Sequence, residues 1–152
     1  MSGAPDDGTT ARDQPRDRLQ HRLVPAAAAV STVAAGLSVR SVLGGDLAKY
    51  AGDALYALLI FWLVLVVAPR TRAWVAAVVA FAVSVAVELF QLTGVPAELG
   101  AQSALARLVL GTTFNAPDLP FYAVGAALGW ALLLALRSTG AARRRRPAPQ
   151  DR

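Results

Sequence analysis

Apolar residues dominate long stretches of the chain, and polar residues concentrate at the borders between them. Runs at 24–43, 51–68, 73–92 and 119–136 are each close to the ~20 residues that a helix needs to cross a bilayer. A cleaved signal peptide is a minor alternative for the first run, which is Ala-rich and short. The pattern predicts an all-α fold, a four-helix integral membrane bundle, and a membrane domain at 23–137.

The segments outside these runs are of two kinds. Residues 1–22 and 138–152 are polar and lack apolar periodicity, so we expect a disordered tail at each end, the second strongly basic. Residues 99–110, between the third and fourth spans, are moderately apolar but too few to cross a bilayer. They predict a short interfacial or re-entrant helix.

Basic residues indicate the orientation of the four spans. Twelve of the fifteen Lys and Arg residues lie in the two tails or at the turn between the second and third spans. Only Arg40, Lys49 and Arg107 fall on the other side. The positive-inside rule therefore places both termini in the cytoplasm of a plasma-membrane protein. The C-terminal arginines suit anionic membrane lipid better than nucleic acid, which we do not expect as a partner.

Polar side chains in or beside the spans gather at the external ends predicted by this topology. Glu88 is the most informative, because a carboxylate in hydrocarbon costs at least ~2.5 kcal/mol. It lies near a helix C-terminus, where the helix dipole also disfavours a negative charge. We expect a cation to meet it, with Arg107 as first choice and Arg40 or Lys49 next. The predicted ligand-binding or ion-pair cluster comprises Arg40, Lys49, Asp53, Glu88, Gln91, Arg107, Asp118 and Tyr122.

Several of these residues also have simpler interpretations. Asp53 and Asp118 would fall in or just before the first turn of a predicted span, where a carboxylate caps free N–H groups. Lys49 and Asp53 are four residues apart, which permits an ion pair along one helix. Gly125 and Gly129 form a small-xxx-small pair, which predicts close helix packing.

A pattern of polar, aromatic, leucine and glycine residues extends across the membrane domain: Arg40, Lys49, Tyr50, Gly52, Asp53, Leu55, Tyr56, Glu88, Gln91, Leu92, Arg107, Leu110, Gly111, Phe114, Asp118, Tyr122, Gly125 and Gly129. On these residues the chain resembles a known family. The chain is similar to the domain of unknown function 2809 family of small bacterial integral membrane proteins, over roughly residues 36–134. Glu88 with Gln91, and the spacing from Asp118 through Tyr122 and Gly125 to Gly129, are more distantly similar to the VanZ-like family, which is associated with resistance to glycopeptide antibiotics. The chain differs from that family in having Tyr122 where an Asn is usual and in lacking the His that often follows the Lys of the second span.

Three functions are compatible with these features. The first is binding of a polar or lipid-linked envelope component at the external cluster, as the VanZ-like resemblance implies. The second is a structural or assembly role in which ion pairs only fix helix packing. The third is a subunit of an ion- or proton-coupled transporter, with Glu88 as the carrier. The sequence leaves oligomerisation open.

Catalysis and cofactor binding have little support in the sequence. The chain has no Cys and a single His, which lies in the N-terminal tail. It shows no metal-ligand spacing, no nucleophile beside a base and no phosphate-binding glycine motif. We therefore expect no cofactor, and an enzyme is a weaker hypothesis than the three functions above.

Overall fold

The computed structural model describes residues 14–144. Among these residues it contains six α-helices, one short 3₁₀ turn and no strand. Four of the helices are long and apolar enough to cross a membrane, as in a multi-pass membrane protein. The all-α prediction with four long apolar helices is confirmed. The elements are α1 (Gln14–Val42), α2 (Gly45–Val67), α3 (Ala73–Gln91), α4 (Val95–Gln102), α5 (Ala104–Leu110), the 3₁₀ turn (Ala116–Asp118) and α6 (Leu119–Arg144).

The helices extend beyond the apolar runs at both ends of the chain. α1 begins at Gln14 and α6 continues to Arg144, so residues 14–22 and 138–144 of the two predicted tails are helical. Adding good helix formers such as Arg, Gln and Leu to an existing helix requires no new nucleation, which explains the extension. Pro25 consequently lies inside α1 and not in its first turn. Residues 1–13 and 145–152 lie outside the described part.

The second span also begins earlier than its apolar residues suggest. Only two residues separate α1 from α2, which starts at Gly45 in a left-handed conformation with φ +62°. Asp53 therefore lies in the third turn of α2, where every backbone N–H already has a helical partner. The interpretation of Asp53 as a helix cap is wrong for this reason.

α2 is the central helix of the bundle. It packs against α1, α3 and α6, and α3 also packs against α6, whereas α1 makes no extended contact with α3. The short connections make α1, α2 and α3 successively antiparallel. Phe61, Trp62 and Leu65 of α2 are almost fully buried in the half of the bundle that lies near the α2–α3 turn. This half is therefore an apolar core, and the polar residues lie in the other half.

Small residues bring α6 and α3 close to their neighbours. An ideal Cβ on Gly125 would overlap the carbonyl oxygen of Ala54, and one on Gly129 would lie 2.6 Å from the ring of Phe61. The glycines thus permit close approach of α6 to α2, as their spacing suggests. The buried face of α3 is likewise narrow and consists of Ala73, Ala76, Ala80, Ser84 and Glu88.

The connection between α3 and α6 is formed by two short helices where a single segment at 99–110 was predicted. α4 starts after Gly94, which has φ +77°, and α5 starts after Ser103. Ser103 caps α5, since its hydroxyl accepts a hydrogen bond from the N–H of Ala106 at 3.3 Å. This N-cap separates α4 from α5 because a residue at an N-cap has extended backbone geometry. The two helices place the residues after α5 above the ends of the long helices.

Candidate functional site

A cavity of about 750 Å³ lies at the polar end of the bundle. Its walls come from the C-terminal half of α1, the N-terminal half of α2, the end of α3, α5 with the residues that follow it, and the start of α6. We call it the polar cavity. All eight residues of the predicted cluster line it: Arg40, Lys49, Asp53, Glu88, Gln91, Arg107, Asp118 and Tyr122.

Glu88 is buried at one wall of the polar cavity, with 1% of its surface exposed. One carboxylate oxygen accepts a hydrogen bond from the backbone N–H of Asn115, and the other accepts one from the hydroxyl of Tyr122 at 2.8 Å. Among the described residues no basic side chain lies within 4 Å of it. The expected pairing with Arg107, Arg40 or Lys49 is therefore wrong, because the chain after α5 returns over α3 and supplies neutral donors.

The ion pair that does form joins α2 to the start of α6. The Lys49 ammonium lies 2.6 Å from a carboxylate oxygen of Asp118, and the side-chain amide of Asn115 donates to the same oxygen at 2.5 Å. Lys49 therefore does not pair with Asp53, four residues further along α2. Asp118 is bound by these two side chains, and within residues 14–144 no backbone N–H donates to its carboxylate as a cap would require. Asn115 is the residue that the sequence analysis missed.

The Asn115 contacts attach the chain before α6 to two other helices. Its N–H binds Glu88 of α3, and its side chain binds Asp118, which in turn binds Lys49 of α2. The side chain of Asp118 is only 5% exposed, whereas that of Lys49 is 42% exposed. Such a half-exposed pair contributes little stability by itself, so its main effect is to fix the position of Lys49 at the cavity wall.

Gln91 holds the end of α5 against α3. Its amide nitrogen donates to the carbonyl of Leu110 at 2.8 Å. Gly111 follows with φ +65°, and a side chain there would collide with the same amide. The Gln91 carbonyl oxygen Oε1 is buried, and no donor of the described residues reaches it. The same holds for Oδ2 of Asp53. Two residues that line the polar cavity thus each have a buried acceptor atom without a donor among the described residues.

Arg40 and Arg107 occupy two different walls of the polar cavity. Arg40 lies in the last turn of α1 and Arg107 in α5, and both residues are exposed. No carboxylate within residues 14–144 lies within 4 Å of either guanidinium. These two cations are accessible to an anionic group, whereas Lys49 is already bound to Asp118.

The lining of the polar cavity changes from polar to apolar with depth. Lys49 and Asp53 are four and eight residues from the start of α2, which places them about 6 Å and 12 Å along its axis. Deeper positions on α1, α2 and α3 are mainly apolar. Because α1 does not pack along α3, a space remains between α1 and α3, and α2 forms its floor. The deeper lining includes Thr32, Val33, Leu37, Leu55, Leu59 and Val87.

The chain matches a known protein family over more than half of its length. A family model described as "Protein of unknown function (DUF2809)" matches residues 42–126. The chain belongs to this family. The matched DUF2809 segment contains every residue of the predicted cluster except Arg40, which lies two residues before it. No curated protein and no solved structure matches the chain. The VanZ-like resemblance stays a prediction.

Proposed function

We propose that this DUF2809 protein binds an amphipathic lipid with a phosphate-bearing headgroup in the polar cavity. The observation that carries the proposal is that the polar cavity combines two guanidinium groups, unpaired within residues 14–144, with an apolar inner wall. A volume of about 750 Å³ lies within the ~300–1,000 Å³ range of ligand sites. Arg40 and Arg107 would bind the phosphate, since guanidinium groups present several donors to its oxygens.

The acyl chains would lie along the apolar part of the same space. Val33 and Leu37 of α1 face this space from one side, and Val87 of α3 faces it from another. The absence of extended packing between α1 and α3 would let a lipid enter sideways from the bilayer. A lipid-linked envelope precursor, with phosphate next to a long apolar chain, has the same chemistry and is a ligand of this class.

The position of the polar residues favours binding over transport. The half of the bundle beyond the polar cavity contains the buried side chains Phe61, Trp62 and Leu65. A carrier of protons or ions requires polar groups along its whole path. The hydrogen bonds of Glu88 support a structural role for this one residue, and Arg40, Arg107 and Asp53 are the groups that a ligand would contact.

We further propose that the polar cavity faces the outer leaflet of the plasma membrane, with both termini in the cytoplasm. The turn between α2 and α3 carries Arg70 and Arg72, and it lies at the end of the bundle opposite to the cavity. An excess of basic residues marks the cytoplasmic side. Labelling of single cysteines from each side of the membrane tests this orientation.

The role of the two arginines is testable by replacing both. The full chain in detergent is titrated with a phospholipid and with a diacylglycerol of the same acyl chains, and bound lipid is counted by native mass spectrometry. We expect the R40A/R107A double variant to bind the phospholipid about 10- to 100-fold more weakly than the unmodified chain, because one or two charge-assisted hydrogen bonds are lost. Diacylglycerol binding should not change.

The matched control replaces two arginines at the opposite end of the bundle. Arg70 and Arg137 are exposed and do not line the polar cavity. R70A/R137A removes the same net charge, so it should leave phospholipid binding within about twofold of the unmodified chain. Equal phospholipid affinity in the two double variants would reject the proposed function.

A further inference from the structure

The charges of the polar cavity are separated by position. Arg40 and Arg107 are exposed and define its outer part, whereas the buried Glu88 and Asp118 and the half-buried Asp53 define its inner part. Lys49 is the one cation among these carboxylates, and it is bound to Asp118. The inner part therefore has an excess of negative charge, and the outer part has an excess of positive charge.

The hydrogen bonds show which of the inner acceptors are already used. Glu88 receives donors at both oxygens, and one oxygen of Asp118 receives two donors. Oδ2 of Asp53 and Oε1 of Gln91 are buried without a donor from the described residues. The Gln91 oxygen accepts, as does the oxygen of an ionised Asp53, so a ligand that satisfies both must donate. A buried carboxylate oxygen left without a partner costs free energy, which a cationic donor would offset most fully.

We propose that Asp53 and Gln91 bind a primary ammonium group in the headgroup of the lipid. The inference rests on the proposed function and specifies its ligand class: a zwitterionic phospholipid that joins a phosphate to a primary amine. The phosphate would contact Arg40 and Arg107, and the ammonium would reach Asp53 further inside. The six charged residues that line the cavity carry no net charge, so a ligand of zero net charge keeps the occupied cavity neutral.

An anionic lipid with hydroxyl groups fits this arrangement less well. Its phosphate could use the same arginines, and a hydroxyl could donate one hydrogen bond to Asp53. It would bring no positive charge to the inner carboxylates. A hydrogen bond to a charged group is stronger than one between neutral groups, and an ammonium contributes charge and three donors together.

The test compares headgroups on identical acyl chains. The full chain in detergent is titrated by native mass spectrometry with phosphatidylethanolamine, its mono-, di- and trimethylated amine derivatives, and phosphatidylglycerol. We expect phosphatidylethanolamine to bind about tenfold or more tightly than phosphatidylglycerol, and the affinity to fall with each methyl group, which removes one N–H donor. Soluble glycerophosphoethanolamine should bind far more weakly, because it lacks the acyl chains that the apolar depth contacts.

The D53N variant determines whether Asp53 provides this preference. It removes the charge at nearly constant volume, so the preference for phosphatidylethanolamine over phosphatidylglycerol should fall to about threefold or less. D46N is the matched control: Asp46 lies in the first turn of the same helix, is exposed and does not line the polar cavity. An unchanged melting temperature for both variants excludes a folding defect as the cause.

The outcomes separate this inference from the proposed function. Arginine-dependent phospholipid binding with no amine preference, or an amine preference that survives D53N, overturns the ammonium site alone. Loss of the preference in both D53N and D46N also overturns it, since the effect would then be one of general charge. If no phospholipid binds more tightly than diacylglycerol, the proposed function itself fails.

Discussion

Replacing Glu88 with alanine is expected to lower the free energy of unfolding by about 2–6 kcal/mol, because two buried donors lose their acceptor and each costs ~1–3 kcal/mol. The donors are the N–H of Asn115 and the hydroxyl of Tyr122. Since no cation lies within 4 Å of Glu88 among the described residues, the loss comes from these donors and not from a freed positive charge. Unfolding of the chain in mixed micelles by a denaturing detergent, followed by circular dichroism, measures it.

Two further variants isolate the cause. E88Q retains one acceptor oxygen and should lose about half as much stability. Y122F should lose ~1–2 kcal/mol, because it removes the hydroxyl that donates a hydrogen bond to Glu88. Glu98 is exposed in the first turn of α4, so E98A is the control and should change stability by less than ~0.5 kcal/mol. An E88A chain as stable as E98A would show that the Glu88 hydrogen bonds do not hold the bundle.

Adding a methyl group at Gly125 is expected to destabilise the bundle by about 1–3 kcal/mol or more, as overpacking of a close contact does. The new Cβ would overlap the carbonyl oxygen of Ala54, and a backbone atom in the middle of a helix cannot move aside without moving α2. G129A should cost less, since its Cβ meets the ring of Phe61, a side chain that can rotate. Mixed-micelle unfolding of each variant gives the order.

Gly52 offers a matched control for the Gly125 substitution. It also lies inside a membrane helix, but a Cβ there would meet nothing within 4 Å. G52A should therefore stabilise α2 by ~0.5–1 kcal/mol, the usual gain of Ala over Gly in a helix. A G125A chain that gained stability in the same way would contradict the close packing of α2 and α6.

The parts of the fold that could be predicted depend on hydrophobic length and on chain direction. In lipid, an apolar run such as 73–92 satisfies its backbone hydrogen bonds by forming a helix. α3 indeed covers Ala73–Gln91. Alternating directions then bring the end of α1, the start of α2, the end of α3 and the start of α6 together. This simple topology is why residues as distant in sequence as Arg40 and Tyr122 could be assigned to one cluster and line one cavity.

The contacts within the cluster could not be predicted in the same way. Glu88 binds a backbone N–H, and every residue except proline carries one, so no residue type signals it. Lys49 had a carboxylate available at Asp53 on its own helix, yet it bonds to Asp118, 69 residues away. That choice depends on how closely α2 and α6 approach. The prediction that Asp53 caps α2 is wrong because this helix starts at Gly45, before the apolar residues begin.

An outward-facing lipid site can be tested with single cysteines, since the sequence contains no native cysteine. Thr112 is exposed and lines the polar cavity, whereas Thr139 is exposed at the other end of α6. We predict that a membrane-impermeant maleimide labels T112C on intact cells and labels T139C only after permeabilisation. In the purified chain, short-chain phosphatidylethanolamine should slow labelling of T112C and not of T139C. Labelling of T139C from outside, or a T112C rate that the lipid does not change, would contradict an outward-facing lipid site.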